Sequence, residues 1–465
     1  MKPTFNNHNK NKRFHLTDLL KTENIQMKRI LININIVVLV SFSSLANAQT
    51  LQELINIALA NNYQIRVLKN EAQVAANNNT MGNAGQLPTV SLDGAYSTSF
   101  NNTRQEFADG SIREGSNAKN TNVNLSVLAN WTIFNGFSVY AKKNQLGYLE
   151  QLGELNSKFY IEQTVSDIVM VYHQLSYESQ LLKHYQQTLN ISRFRLNLEQ
   201  KRKEIGSSTA MAFGQALVDY QTDSIMLLNQ QNTIKNLEIE LNRILSNDLE
   251  KDLSISSEDF TLLPIPVKEE LSKMVESSNN QLEQQRLQEL IAETELRISK
   301  ANRYPKIDLF AGYQYSKTFS EVGFFSSNQN YGPTVGVSVS FNLFNGGAVN
   351  REIKNTKIFA ENSQLTKQDV TQNINADVLK LYNEHVSLGE RITLAKSNVV
   401  TMQKVYETAS EQLKKGAING YDFRLTQLTL LNAELMLMQL QLASKAIEIS
   451  LNRLSGTVLN AYMDL

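Results

Sequence analysis

Residues 131–137 read Trp-Thr-Ile-Phe-Asn-Gly-Phe, and residues 341–347 read Phe-Asn-Leu-Phe-Asn-Gly-Gly, the same phrase 210 positions later. The flanks agree. Leu241-Asn242-Arg243 returns as Leu451-Asn452-Arg453, and Gly206 falls on Gly416 at the same offset. Upstream the offset becomes 217: Leu87-Pro88 meets Tyr304-Pro305, Tyr96 meets Tyr313, and Asn62 and Gln64 meet Asn279 and Gln281. The seven extra residues of the first copy therefore lie between Tyr96 and Trp131, in a polar stretch that reads as turn-rich, where insertions are tolerated. The chain reads as a tandem duplication, with a period far longer than that of a solenoid.

The expected organisation is an upstream segment 1–26, a signal peptide 27–48, a first repeat 49–246, a linker belt 247–267, a second repeat 268–456 and a short tail 457–465. Lys28 and Arg29 form a basic n-region, Ile30 to Leu45 a mostly apolar stretch, and Ala46-Asn47-Ala48 a cleavage site before Gln49. That is the pattern of a Sec signal peptide, with Met27 as the expected true start. The chain has no Cys, so disulfides, thiolate metal sites and Cys lipidation are excluded. Its five His, at 8, 15, 173, 184 and 385, make no metal-ligand spacing. Beyond residue 48 it carries 38 basic and 43 acidic residues, a net charge of −5, which does not predict nucleic-acid binding. Phosphate loops, nucleophile elbows and paired catalytic carboxylates are missing too, so no cofactor and no enzyme activity are expected.

Strict alternation follows each Pro. In 334–343, Val335, Val337, Val339, Phe341 and Leu343 face one way, and Thr334, Gly336, Ser338, Ser340 and Asn342 the other. Stretches 89–99, 123–133 and 306–315 alternate similarly. Each is about the ten residues that a tilted strand needs to cross a bilayer, although a soluble half-buried sheet alternates the same way.

The helices tip that balance. Val139 to Ile205 and Ala348 to Lys415 contain no Pro. In the first, Leu152, Leu155, Phe159, Val165, Ile168, Tyr172, Leu175, Leu182, Tyr185 and Leu189 step by threes and fours. Such helices run about 100 Å and must bury their stripe in a coiled coil. Gly206 and Gly416 are expected to end them, with shorter helices returning over 210–246 and 420–455. Four strands cannot close a barrel, and membrane sheets leave no open edge. Two chains would give eight strands and a filled lumen, whereas three would give twelve and a channel. The small polar residues of the inward face argue for water, hence three or more chains.

With these features in place, the chain resembles the TolC-like outer-membrane efflux proteins. The resemblance rests on the duplication, the Leu-Pro and Tyr-Pro strand starts, the paired Phe-Asn-Gly phrases, and the phrase at 416–434 that opens Gly-Ala-Ile-Asn-Gly-Tyr-Asp-Phe-Arg-Leu-Thr-Gln and ends Leu-Asn-Ala-Glu. It implies a mainly α fold with a membrane β part: a homotrimer whose twelve-stranded β-barrel continues into a periplasmic α-helical coiled-coil barrel. It also implies a periplasmic adaptor and an inner-membrane pump, or a type I secretion system, as partners. A secreted trimeric coiled-coil or adhesin-like protein is the alternative, but it would need one heptad run and a single anchor.

Trp131, Phe134, Asn135 and Gly136, with Phe341, Phe344, Asn345 and Gly346, are then expected to mark membrane-boundary junctions between strand and helix, in contact with outer-membrane lipid. Gly206, Gly416, Asn419 and Gly420 would form the adaptor-docking tips. Asp422 matches an acidic gate residue of the family and is the candidate constriction, or else a helix-start charge capped by Asn419. The family's second gate Asp is matched by Leu425 and a gate Arg by Ile418, so a full charged network is not expected. In the first copy Ala212 and Leu217 stand against Asp422 and Gln427.

Overall fold

A computed structural model describes residues 49–253, 255 and 262–463. The expected signal peptide and upstream segment lie outside the described residues, as does part of the linker. Gln49 and Ile255 form an isolated parallel bridge.

The first copy opens with α1 (Leu51–Asn61) and α2 (Tyr63–Asn78), followed by β1 (Thr89–Glu106), β2 (Ile112–Asn135), α3 (Ser138–Glu204) and α4 (Ala210–Leu245). The second repeats the order as α5 (Lys268–Ser278), α6 (Asn280–Ala301), β3 (Lys306–Ser320), β4 (Ser327–Ser340), α7 (Ala348–Lys414) and α8 (Gly420–Leu454); a short α9 (Val458–Met463) follows. Helices α3 and α7 have 67 residues each. At 1.5 Å per residue each is about 100 Å long, too long for a compact core. Of the stripe read in α3, Val165, Ile168, Tyr172, Leu175 and Leu189 are buried. Leu181 is buried in place of Leu182, which is only half-buried.

The matched Asn62 and Asn279 explain why each copy starts with two helices rather than one. Each caps the second helix, accepting from the backbone N–H of Ile65 (3.1 Å) or Leu282 (2.9 Å). Each also donates through Nδ2 to the end of the returning helix, at Ile244 O (2.9 Å) or Leu454 O (2.8 Å). One buried side chain thereby meets two backbone demands, which no apolar residue could. In the second copy, Leu271 and Val275 of α5 pack with Ile374, Val378 and Leu388 of α7 and with Ile447 and Leu451 of α8.

Near the strands α3 lies against α2 and α6; further along it lies against α4 and α8. Gly153 permits the first approach, since a Cβ there would sit 3.2 Å from Ala72 Cα. The described end of the linker is pinned to α8, where Glu448 accepts from Leu263 N–H (2.9 Å). Glu448 also pairs with Lys445 (2.7 Å) and accepts from the Tyr462 hydroxyl of α9 (2.7 Å), all buried.

The four strands form one antiparallel sheet in the order β1-β2-β3-β4. Val337 stands opposite Leu309 and Leu309 opposite Trp131, whereas Ser338 stands opposite Asp308 and Asp308 opposite Thr132. The sheet thus has an apolar and a polar face. On the polar face Ser316, Thr318 and Ser320 donate to Asn124 (2.8 Å), Asn122 (2.8 Å) and Asn120 (2.5 Å), and Thr132 to Asp308 (2.7 Å). Phe310 is an exception on that face: it lies over Gly336, where a Cβ would meet its ring at 2.5 Å. Apolar-face residues stay uncovered, with Val90, Leu92, Val335 and Val337 exposed.

Three expectations about strand extent need correction. The strands run to 18, 24, 15 and 14 residues rather than about ten. The polar insertion is not turn-rich: it lengthens the first hairpin, and its turn is confined to Phe107–Ser111. A bulge at Asn117 (φ 56°), held by Asn102 Oδ1 (2.9 Å), absorbs the register change. Finally, Phe341 and Leu343 lie beyond β4, which ends where its partner begins, at Ser340 opposite Lys306. In β2 the ladder persists to Asn135 because β3 continues to pair it, with Ile133 bulged out between Thr132 and Phe134.

Candidate functional site: membrane junctions and helix tips

At the first junction the chain turns from strand to helix through two left-handed residues, Gly136 (φ 67°) and Phe137 (φ 65°). At the second it uses Gly346 (φ 64°) and Gly347 (φ 78°). Left-handed backbone costs a side-chain-bearing residue roughly 1 kcal/mol, so Phe137 must be compensated. Its ring stands edge-on to Phe134, with centroids 5.4 Å apart. Asn135 Oδ1 accepts from Val139 N–H (3.4 Å), and the Asn345 carbonyl accepts from Ala348 N–H (3.3 Å). Trp131 donates its indole N–H to Gln86 O (2.9 Å) while staying 42% exposed. Phe341 (54%) and Phe344 (86%) are more exposed still.

At the far end of the long helices Gly206 (φ 72°) and Gly416 (φ 71°) take the left-handed conformation that only Gly adopts freely. Each closes a Schellman motif. Ser207 N–H reaches Arg202 O (2.7 Å) and Gly206 N–H reaches Lys203 O (3.1 Å); Ala417 and Gly416 do the same to Gln412 (2.8 Å) and Leu413 (3.0 Å). Lys201, Arg202, Lys203 and Lys414 sit in the last turns, where the helix dipole favours cations.

Asn419 caps α8, accepting from Tyr421 and Asp422 N–H, both at 2.9 Å. Thr209 does so for α4 through Ala212 N–H (3.1 Å). Gly420 faces the first copy, where a Cβ would make ordinary contact with the Arg195 guanidinium at 3.5 Å. Asp422 is exposed and lines a groove of about 370 Å³ with Lys404, Gln412, Ile418 and Thr426. Gly206 marks one tip and Gly416, Asn419, Gly420 and Asp422 the other, both at the opposite end of the long helices from the junction residues.

Sequence reasoning missed the charges that fasten the copies to each other behind the tips. Arg424 of α8 pairs with Asp223 of α4 at 2.6 Å, the side chains being only 9% and 1% exposed. Arg424 also reaches Gln427 (3.2 Å), while Asp223 Oδ2 has no partner among the described residues. His184 of α3 also reaches Glu434 of α8 at 3.0 Å, whereas Arg195 meets Asp219 at 3.0 Å within the first copy. One signal was present. Asp223 falls on Ala433, and Arg424 on Gly214, at the 210-residue offset. The charges thus stand where the copies disagree. Among the described residues no group of side chains is arranged to hold a metal, and no helix is long and apolar enough to cross a membrane.

The family model for outer membrane efflux proteins matches residues 54–247 and 271–457. The chain belongs to this family. Among solved structures it is similar to CusC, described as forming a transmembrane channel (17% identity, TM-score 0.72, 88% of this chain and 92% of that one). It is similar also to the outer membrane protein VceC of Vibrio cholerae (17%, 0.72, 87% and 96%) and the outer membrane channel CmeC of Campylobacter jejuni (12%, 0.73, 88% and 85%). At these identities the likeness is one of fold. No curated protein compared with the sequence matches it significantly. The chain is accordingly an outer-membrane efflux channel protein with a periplasmic part and no enzymatic role.

Proposed function

We propose that three copies close into one twelve-stranded barrel and work as a passive exit duct for a tripartite efflux or type I secretion system of a Gram-negative bacterium. The observation that carries this is a four-stranded sheet, apolar on one face and polar on the other, left open at β1 and β4. Such edges are untenable in lipid unless further strands pair with them. Within this reading the repeats 49–246 and 268–456, joined by the belt 247–267, each supply one strand pair and one helical hairpin. The described part of the tail 457–465 adds a short helix.

The tips at Gly206, Gly416, Asn419 and Gly420 meet a periplasmic adaptor, and through it an inner-membrane pump that supplies the energy. The Trp131–Gly136 and Phe341–Gly346 junctions sit at the lipid boundary. Opposite faces of β4 provide the test. Val337→Arg, on the lipid face, is expected to cost about 2–4 kcal/mol and to deplete the heat-modifiable trimer, whereas Ser338→Arg, in the lumen, leaves it assembled. Equal loss in both variants would reject the assignment of faces, and no trimer band in the unmodified protein would reject the shared barrel.

A further inference from the structure

The long first hairpin has a consequence at the end of the sheet away from the helices. Strand β2 pairs with β3 only as far as Asn120 opposite Ser320, so residues 112–119 extend beyond the second hairpin. The second hairpin does not stop short beneath them. Its turn, 321–326, folds over one face of the extension. Arg113 donates to Gly323 O (2.7 Å), and a Cβ at Gly115 would lie 2.3 Å from Val322 Cγ2. A Cβ at Gly323 would lie 3.7 Å from Gln105 Oε1, and the rings of Phe107 and Phe324 are 6.2 Å apart.

Those contacts identify the face. Gln105 pairs with Arg113 and Thr103 with Gly115. Along β1, odd-numbered residues share the polar face of Ser91 and Asp93, because side chains alternate and the bulge lies in β2. Burial agrees: Thr103, Gln105 and Phe107 are half-buried, while Asn102, Arg104 and Glu106 are exposed. The turn therefore leans over the polar face and presents Phe324 (72% exposed) and Phe325 (62% exposed) beyond it. The two rings meet edge-on at 4.7 Å, and Arg113 stacks over Phe107 at 5.4 Å as a brace. Two adjacent large aromatics exposed on a turn are costly unless something uses them.

We propose that Phe324 and Phe325 form a constriction at the outward mouth of the channel, one pair from each of the three chains, which sets the size of solute that passes. The proposal rests on the closed-barrel reading: once the polar face is the lumen, a turn leaning over that face narrows the exit. Pore width then becomes a property of these two rings and of the Arg113 brace.

The chain lacks Cys, so a single introduced thiol reports access cleanly. Gln314→Cys places it on the polar face, opposite Ser126 and Gly332. Intact cells are treated from outside with N-ethylmaleimide or with a polymer-tethered maleimide, and heat-modifiable trimer is followed in parallel. In Phe324→Ala/Phe325→Ala the bulky reagent is expected to react at least about tenfold faster, with the small reagent unchanged. Arg113→Ala should give a smaller increase with both rings present. Unchanged bulky-reagent rates in an intact trimer would overturn the constriction alone. Absence of trimer from the Gln314→Cys parent would overturn the barrel and the constriction together.

Discussion

In the first copy Asn62 ties the opening helices to Ile244, and in the second Asn279 ties them to Leu454 with the same two bonds. Gly206 and Gly416 end the long helices with the same Schellman geometry. Behind the tips the copies part company. Asp223 and Arg424 form a buried pair although their counterparts are Ala433 and Gly214. The shared Asn62 and Asn279 close each repeat on itself. Several positions that differ, such as Asp223 and Arg424, fasten one copy to the other within the chain.

The largest test of that comparison is Arg424→Ala. It leaves Asp223 buried without its countercharge, and breaking such a pair costs about 3–5 kcal/mol. The loss should be read as weakened hydrogen-exchange protection around α4 and α8 near the tips. Replacing both partners, Asp223→Ala with Arg424→Met, should recover most of it, since an apolar pair carries no desolvation debt. A cost below about 1 kcal/mol, the range of surface pairs, would show that the pair does not fasten the copies.

A smaller effect separates the two junctions. Alanine at Gly136 or Gly346 meets the left-handed backbone in both, at roughly 1 kcal/mol each. Only at Gly136 does the new Cβ also approach a backbone atom, Ala301 O, at 2.6 Å. Overpacking there should add about 1–3 kcal/mol. Thermal unfolding of the two variants measures the difference, and equal midpoints would mean that the first junction is not packed as described.

Much of this architecture was legible because it follows from periodicity. Alternation gave the faces of the sheet, the Pro-free runs gave the long helices, and the repeated Gly gave their ends. Strand extent was not legible. Residues 97–106 and 112–122 are polar on both faces apart from Phe100, Ile112 and Ala118, so hydropathy marks them as loop although backbone pairing continues. The premature end of β4 was hidden for the opposite reason: Phe341 and Leu343 keep the alternation, but no strand in the same chain is left to pair with them. Arg424 and Asp223 lie 201 residues apart, a separation that only the tertiary fold closes.

Glu162 sharpens the comparison at lower amplitude, because its counterpart in the second copy is the exposed Gln372. Glu162 is buried, and burial pushes its carboxyl above the usual range despite the hydrogen bond from Asn280 Nδ2 (2.5 Å). A carboxyl raised in the folded state contributes stability below its unfolded value, and that contribution is lost as pH rises through the folded value. At neutral pH the ionised group therefore costs stability. Glu162→Gln keeps an acceptor for Asn280 and should raise the melting temperature at about pH 7–8, with the gain disappearing toward pH 4. A destabilised variant at neutral pH would mean that the charge is compensated by a partner.

The smallest expected change is at Asp422, which has no acidic counterpart because Ala212 occupies the equivalent place. Asn419 already satisfies the N–H groups of Tyr421 and Asp422, so removing the Asp422 carboxylate leaves the cap intact. As a helix-start charge it is worth about 0.3–1 kcal/mol, less in high salt. As one member of a threefold ring it would do more. Three carboxylates around a narrow periplasmic mouth attract divalent cations far better than one exposed Asp, because their fields sum where the ions pass. Asp422→Ala channels in planar bilayers, with divalent cations added from the helix-tip side, distinguish the two. Loss of cation block with stability nearly unchanged supports a ring at the mouth. Retained block, with stability lower by the helix-start increment alone, would place the narrowest point elsewhere and leave Asp422 to its helix.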